Sequence, residues 1–158
     1  MIIAAFTPDL TDAVCRLILP IQREEFGVPV TLEGQPDLLD IPTFYQADGG
    51  FWVAVEDGLV IGSIGLKRFG DAAALRKMFV RHDFRGSAHG VGQGLLDRLL
   101  AFAKAEGLDA IWLGTTEKFL AAHRFYEKNG FTRVPPEALP PTFPRVAVDT
   151  VFYRKTLA

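Results

Sequence analysis

Met78-Phe79-Val80-Arg81-His82-Asp83-Phe84-Arg85-Gly86-Ser87-Ala88-His89-Gly90-Val91-Gly92-Gln93-Gly94-Leu95-Leu96 is the stretch on which the fold turns. Its apolar start, Met78-Phe79-Val80, ends a strand, the run from Gly90 to Gly94 is a glycine-rich turn, and the leucines begin a helix. That order builds an anion site. The first amides of a helix have no intrahelical partner, they carry the positive end of the macrodipole, and missing side chains let a phosphate come close. Arg85 can add a fixed positive charge. A P-loop is excluded because no lysine follows any glycine pair here. A dinucleotide fingerprint would need its third glycine where Leu95 stands, and the turn lies ten residues past Val80 instead of at the strand end. Asp109, near the acidic spacing of that fingerprint, precedes its strand.

Outward from this stretch, hydrophobic periodicity divides the chain into elements. Val91, Leu95, Leu96, Leu99, Leu100, Phe102 and Ala103 recur at helical spacing, and Gly107 closes the helix. Residues 51–55 and 59–66 flank the hairpin signal Glu56-Asp57-Gly58, and residues 75–80 form a third strand after Gly70-Asp71, all pairing antiparallel. Residues 2–6 read as a strand, followed by Thr7 as N-cap, Pro8 in the first helical position, and a helix to about Phe26. Residues 27–49 are polar and broken by Pro29, Gly34, Pro36 and Pro42, yet Leu38-Leu39 and Phe44-Tyr45 imply that they fold over something apolar. This is the expected substrate side. Downstream come a strand over residues 110–113 and a helix over residues 119–128 with Phe119, Ala122 and Tyr126 on its apolar face. Asn129-Gly130 is a left-handed cap, and a strand begins at Phe131. Residues 135–144 hold five of the ten prolines and form a loop before a last strand over residues 149–156. The sum is one α/β (α+β) domain over residues 1–158, in which an antiparallel first half meets a strand-helix-strand-helix second half.

Composition bounds the partners. A chain of 158 residues, 49% hydrophobic, has ample material for a core, and a net charge of −2 with no basic block excludes a broad electrostatic surface for nucleic acid or anionic lipid. A phosphate-bearing cofactor needs only local donors. Cys15 stands alone, so no intrachain disulfide forms, a reducing compartment is expected, and the thiol reads as a buried helix residue. Residues 1–6 lack the basic region of a signal peptide and no apolar run is long enough to span a membrane; a soluble, cytoplasmic chain with no membrane partner is expected. Histidine and cysteine spacings offer no metal site.

A second constellation lies downstream of the first. Ala121-Ala122-His123-Arg124-Phe125-Tyr126-Glu127-Lys128-Asn129-Gly130-Phe131 resembles the downstream motif of the GNAT acyltransferase superfamily, Ala-x-x-x-Tyr-x-x-x-Gly-Phe, with Ala122, Tyr126, Gly130 and Phe131 in place. The turn at Gly90-Val91-Gly92 resembles the superfamily's acetyl-CoA motif, Arg/Gln-x-x-Gly-x-Gly/Ala. The resemblance covers roughly residues 51–131. It implies a central mixed, mostly antiparallel sheet of six to seven strands flanked by helices, and transfer of an acetyl group from acetyl-CoA to a primary amine of a small molecule. It further implies that Phe79 and Val80 contact pantetheine and that Arg85, Gly90, Val91, Gly92, Gln93 and Gly94 enclose the pyrophosphate. Tyr126 would be the general acid that protonates the CoA thiolate. A phenol near pKa 10 against a thiol near 8.5 makes that transfer uphill but reachable within a hydrogen bond. Two departures stand out. Ser87, Ala88 and His89 lengthen the spacer by two residues, which puts Ser87 in the motif's Arg/Gln slot and leaves the place of Arg85 open. Phe119 occupies the position of a frequent pantetheine-binding asparagine, with Thr115, Thr116 or Glu117 as candidate replacements.

Acyl transfer to an amine also needs a base, since the attacking nitrogen must be neutral. Glu24, Glu25, Asp37 and Asp40 are the candidates, each also readable as a solvated surface carboxylate, and water is the alternative. Those carboxylates hint at a cationic acceptor. His82 and His89 flank the cofactor motif and read as loop hydrogen-bonding residues, and His123 beside Arg124 is expected to be exposed. Ser87 makes no Gly-x-Ser-x-Gly elbow, and its neighbour His89 has no carboxylate orienter, which argues against a hydrolytic triad. The alternative functions are a non-catalytic acyl-CoA sensor or interaction domain, and a protein lysine or N-terminal acetyltransferase. A homodimer through terminal strands is compatible with the resemblance.

Overall fold

A computed structural model describes residues 1–157. Seven strands form one sheet: β1 (Ile2–Ala5), β2 (Gly50–Glu56), β3 (Leu59–Phe69), β4 (Ala72–Val80), β5 (Ala110–Thr115), β6 (Thr132–Val134) and β7 (Val151–Thr156). Their order is β1-β2-β3-β4-β5-β7-β6, and among the described residues only the β4–β5 pair is parallel. The helices are α1 (Thr11–Pro20), α2 (Pro36–Leu39), α3 (Val91–Ala105) and α4 (Leu120–Lys128). This is the mostly antiparallel mixed sheet with flanking helices that the resemblance implies. Among the described residues no helix is long and apolar enough to cross a membrane.

Both faces of the sheet are covered, which is why β2 reads as an unbroken apolar run. Phe51 and Val53 point into a core shared with Val14 and Ile18 of α1, while Trp52 and Ala54 point into the one built on Leu95, Leu96 and Leu99 of α3. Residues 27–49 do fold over apolar groups: Leu38, Ile41 and Tyr45 are buried in the α1 core. The first helix departs from expectation. A 3-10 turn, Pro8–Leu10, precedes α1, and a π-turn, Ile21–Glu25, comes after Pro20. Pro20 has no N–H and its ring crowds the carbonyl one turn back, so the helix widens there. Thr7 caps no amide; its hydroxyl donates to the Asp9 carboxylate instead. Gly130, not Asn129, takes the left-handed conformation after α4, with φ +87° against −93°.

Two features of the sheet position the site. The β4–β5 ladder holds only at Ala73–Ile111 and Ala74–Trp112; beyond it β4 stays with β3 and β5 with β7. The strands therefore splay apart toward their C-terminal ends. Within the splayed part β4 bulges opposite β3, with Lys77 at φ +53° and the Ser63 hydroxyl donating to the Lys77 carbonyl at 2.7 Å. The first turn of α3 sits tightly on β3 because Gly62 has no side chain: a Cβ there would come within 2.9 Å of Leu95 and 3.0 Å of Val91.

Candidate active site

The splay between β4 and β5 opens a cavity of about 1210 Å³ that runs from the N-terminus of α3 to the loop before β7. At the α3 end, Gly90 is the N-cap with φ +67° and offers no side chain to bond the amides after it. The first intrahelical donor is Gly94, whose N–H reaches the Gly90 carbonyl at 2.9 Å, so the amides of Val91, Gly92 and Gln93 have no partner within the helix. A Cβ on Gly92 would meet nothing nearer than 3.6 Å, which leaves that face open to a ligand. Phe79, Val80, Arg85, Ser87, Gly90, Gly92, Gln93, Gly94 and Tyr126 all line this one cavity. Val91 does not. Its side chain is buried under the turn, so only its amide is offered.

Arg85 is held, as its displaced position in the motif permits. Its Nε donates to the Val80 carbonyl at 2.7 Å, and its guanidinium pairs with Glu25 at 2.8 Å. Gln93 is also fixed, donating to Asp97 at 2.8 Å and to Asn129 at 2.9 Å, which ties the start of α3 to the end of α4. Phe119, in the asparagine position, stacks edge-on against Phe26 with ring centroids 4.3 Å apart, and both rings line the cavity. Thr115 and Thr116 line it too, whereas Glu117 is exposed to solvent.

Tyr126 is a buried residue of the same cavity wall. Its ring packs between Phe125, Phe131 and Tyr153, and its hydroxyl donates weakly to the Met78 sulfur at 3.8 Å. Burial, with the nearby Asp149 and Tyr153, pushes its pKa well above the usual phenol value, so the proton is retained throughout the neutral range.

The expected bases are placed differently. Glu25 is engaged by Arg85, Glu24 is exposed, and Asp40 accepts the Thr43 amide at 3.4 Å. Asp37, expected to be solvated, is buried: it accepts from the Tyr45 hydroxyl at 2.6 Å and faces Lys77 at 3.6 Å. Lys77 also donates to Gln35 at 2.6 Å, and Gln35 exchanges amide hydrogen bonds with Gln22. Chain folding brings residues 27–49 over the β4 bulge, a contact no local pattern encodes. His123 is likewise buried, not exposed; its Nε2 lies 2.8 Å from the Thr116 carbonyl and its ring faces Tyr153. Among the described residues the His82 and His89 rings make no hydrogen bond, and His89 packs against Phe84 instead. The residues that sequence reasoning missed are Arg76, Lys77 and Asp149, all in the cavity wall. Burial raises the Asp149 carboxyl to about 6, against the opposing pull of Arg76, Lys77 and Arg145. The one available signal was a carboxylate at the start of a strand, and the sequence alone cannot give its depth.

The family model described as acetyltransferase (GNAT) family matches residues 15–131. The chain belongs to the GNAT acetyltransferase family. A GNAT acetyltransferase of Staphylococcus aureus Mu50 superposes with a TM-score of 0.95 at 35% identity, with 99% of each chain covered. The N-acetyltransferase PaiA of Thermoplasma acidophilum, in complex with coenzyme A, superposes with a TM-score of 0.77 over 98% of each chain, at 17% identity a likeness of fold alone. The N-acetylaspartate synthetase of Danio rerio is 39% identical over 102 residues, 62% of this GNAT chain and 36% of the relative. The chain thus spans about a third of the curated relatives of that name.

Proposed function

We propose that this GNAT protein transfers the acetyl group of acetyl-CoA directly to the primary amine of a small molecule, with Tyr126 as general acid. The observation that carries this reading is that one cavity joins the uncapped amides of α3 to the buried Tyr126 phenol. The cofactor's chemistry fits these residues. A diphosphate suits free helix amides beside a glycine turn, and an extended pantetheine arm suits the exposed flank of β4 at Phe79 and Val80. When bound, acetyl-CoA supplies the activated thioester. The amides of Gly92 and Gln93 would hold its phosphate end, and Tyr126 would offer the reacting centre a phenol that stays protonated. The same burial that raises the phenol would also raise a leaving thiolate, so proton transfer between them remains feasible.

The Phe26–Phe119 contact in the cavity wall supports a metabolite acceptor more than a protein segment, and the relatives named N-acetylaspartate synthetase support the same class. The retained phenol favours an enzyme over a sensor. The test is calorimetric titration with acetyl-CoA, and then release of free thiol across a panel of primary amines. Saturable binding and amine-dependent thiol release are expected; no saturable heat at millimolar ligand would remove the reading.

A further inference from the structure

We propose that Arg76 and Asp149 are the two poles of an acceptor pocket that selects amino carboxylates, the Arg76 guanidinium taking the carboxylate while Asp149 receives the ammonium and withdraws its proton. This rests on the acetyl-transfer reading above and names its acceptor class. Both side chains line the cavity on the side away from the glycine turn, roughly 10–13 Å along β4 from Val80 in the case of Arg76. Among the described residues neither is closed into an ion pair. Among the described residues Arg76 has no carboxylate within 4.0 Å and makes no hydrogen bond, its guanidinium lying 5.5 Å from the Phe44 ring centroid. Lys77 beside it is already committed to Gln35 and Asp37. Asp149 has no ion-pair partner among those residues, and its carboxylate overhangs Gly114, where a Cβ would come within 2.5 Å of Oδ2. Backbone bonds fix it there, from its own amide to the Val146 carbonyl at 3.0 Å and from the Thr150 amide to the Thr115 carbonyl at 2.9 Å.

Two opposite charges that share a cavity, feel one another and yet do not close into a pair stand open to a ligand that carries both complements. A zwitterion compensates both at once. A guanidinium binds a carboxylate through two parallel hydrogen bonds, and an unpaired carboxylate is the complement of an ammonium. The charges facing Asp149 are Arg76 and Lys77 from β4 and Arg145 from the preceding loop, with the neutral Tyr126 phenol beside it from α4. With its carboxyl at about 6, Asp149 is ionised at neutral pH yet basic enough to accept a proton. Protons and bonds balance. The ammonium gives one proton to Asp149, which passes it to solvent; the nitrogen forms its bond to the thioester carbonyl carbon as the carbon–sulfur bond breaks. The sulfur takes the Tyr126 proton, and the second nitrogen proton restores the phenol.

The test compares amino acids with their decarboxylated amines as acceptors for the full chain, with acetyl-CoA binding measured in parallel. The wild type should favour the amino carboxylates in kcat/KM by about 10- to 100-fold, the worth of a charge-assisted contact. Arg76→Gln should erase that ratio through the acceptor KM, and should also abolish competitive inhibition by N-acetyl amino acids, while acetyl-CoA affinity holds. Asp149→Asn should lower kcat and remove the fall in rate below about pH 6. Equal or better turnover of the decarboxylated amines, or a ratio unaltered by Arg76→Gln, overturns the proposal while leaving acetyl transfer standing. Failure to bind acetyl-CoA overturns both.

Discussion

At the scale of single residues, the proposed chemistry depends on two groups in the cavity wall, the buried Tyr126 and the half-buried Asp149, whose proton affinities are raised by the same cause. Loss of water disfavours the charged form of a phenol and of a carboxyl alike, which keeps Tyr126 protonated and brings Asp149 to about 6. Tyr126→Phe keeps the ring contacts and removes only the hydroxyl, so kcat should fall by about 10²- to 10⁴-fold with little change in acetyl-CoA affinity by calorimetry. Unchanged kcat would return Tyr126 to a packing role. Asp149 also affects stability with a definite sign. Its folded pKa lies above its ordinary 3.8, so the folded state takes up the proton first as the pH falls; the penalty for holding the charge is complete above about pH 6 and vanishes below about pH 4. Asp149→Asn should therefore stabilise the chain at about pH 7.5 by at most about 3 kcal/mol, less as solvent screening allows, and by nothing at about pH 4. Urea unfolding at the two pH values measures the difference.

At the scale of elements, α3 and β4 are the parts on which the site is mounted. The amides of α3 face the cavity only because its first turn lies flush on β3 at Gly62. Gly62→Ala places a methyl against Leu95 and Val91, which should cost about 1–3 kcal/mol of stability and weaken acetyl-CoA binding by tilting the turn. Thermal unfolding and calorimetry on the same variant separate the two effects, and unaltered affinity would show that the α3 amides do not depend on this seat. The bulge in β4 matters equally: it interrupts the ladder at Lys77, a carbonyl that the buried Ser63 hydroxyl then satisfies. Most strands and the helices α3 and α4 were legible from apolar periodicity. The π-turn after Pro20 and the burial of Asp37 and His123 were not, because they depend on what packs against them.

At the scale of the whole molecule, the cavity exists because two neighbouring strands pair for two residues and then part company. Each keeps its other neighbour, so the opening costs no backbone hydrogen bonds along β3 or β7, and Phe26 and Phe119, in contact with one another, form part of the cavity wall. A ligand that bridges β4, α3 and α4 should bind the folded state alone. Coenzyme A at about 100 times its Kd should stabilise by about 2.7 kcal/mol and raise the melting temperature by about 5–10 °C for a chain of this size. Differential scanning calorimetry over a concentration series checks the dependence; a melting temperature indifferent to coenzyme A would place its site elsewhere or nowhere.

Local pattern was enough to order the strands and helices, to find the glycine turn at the start of α3 and to find the motif around Tyr126, since periodicity, turn residues and motif spacing are properties of short stretches of chain. Which charged groups meet was settled by folding in three dimensions. Arg76 and Asp149 stand 73 positions apart, and they share a cavity because β4 and β5 diverge while β7 returns beside β5. Burial and the field of distant neighbours set the proton affinities there, and neither quantity is carried by any short run of residues.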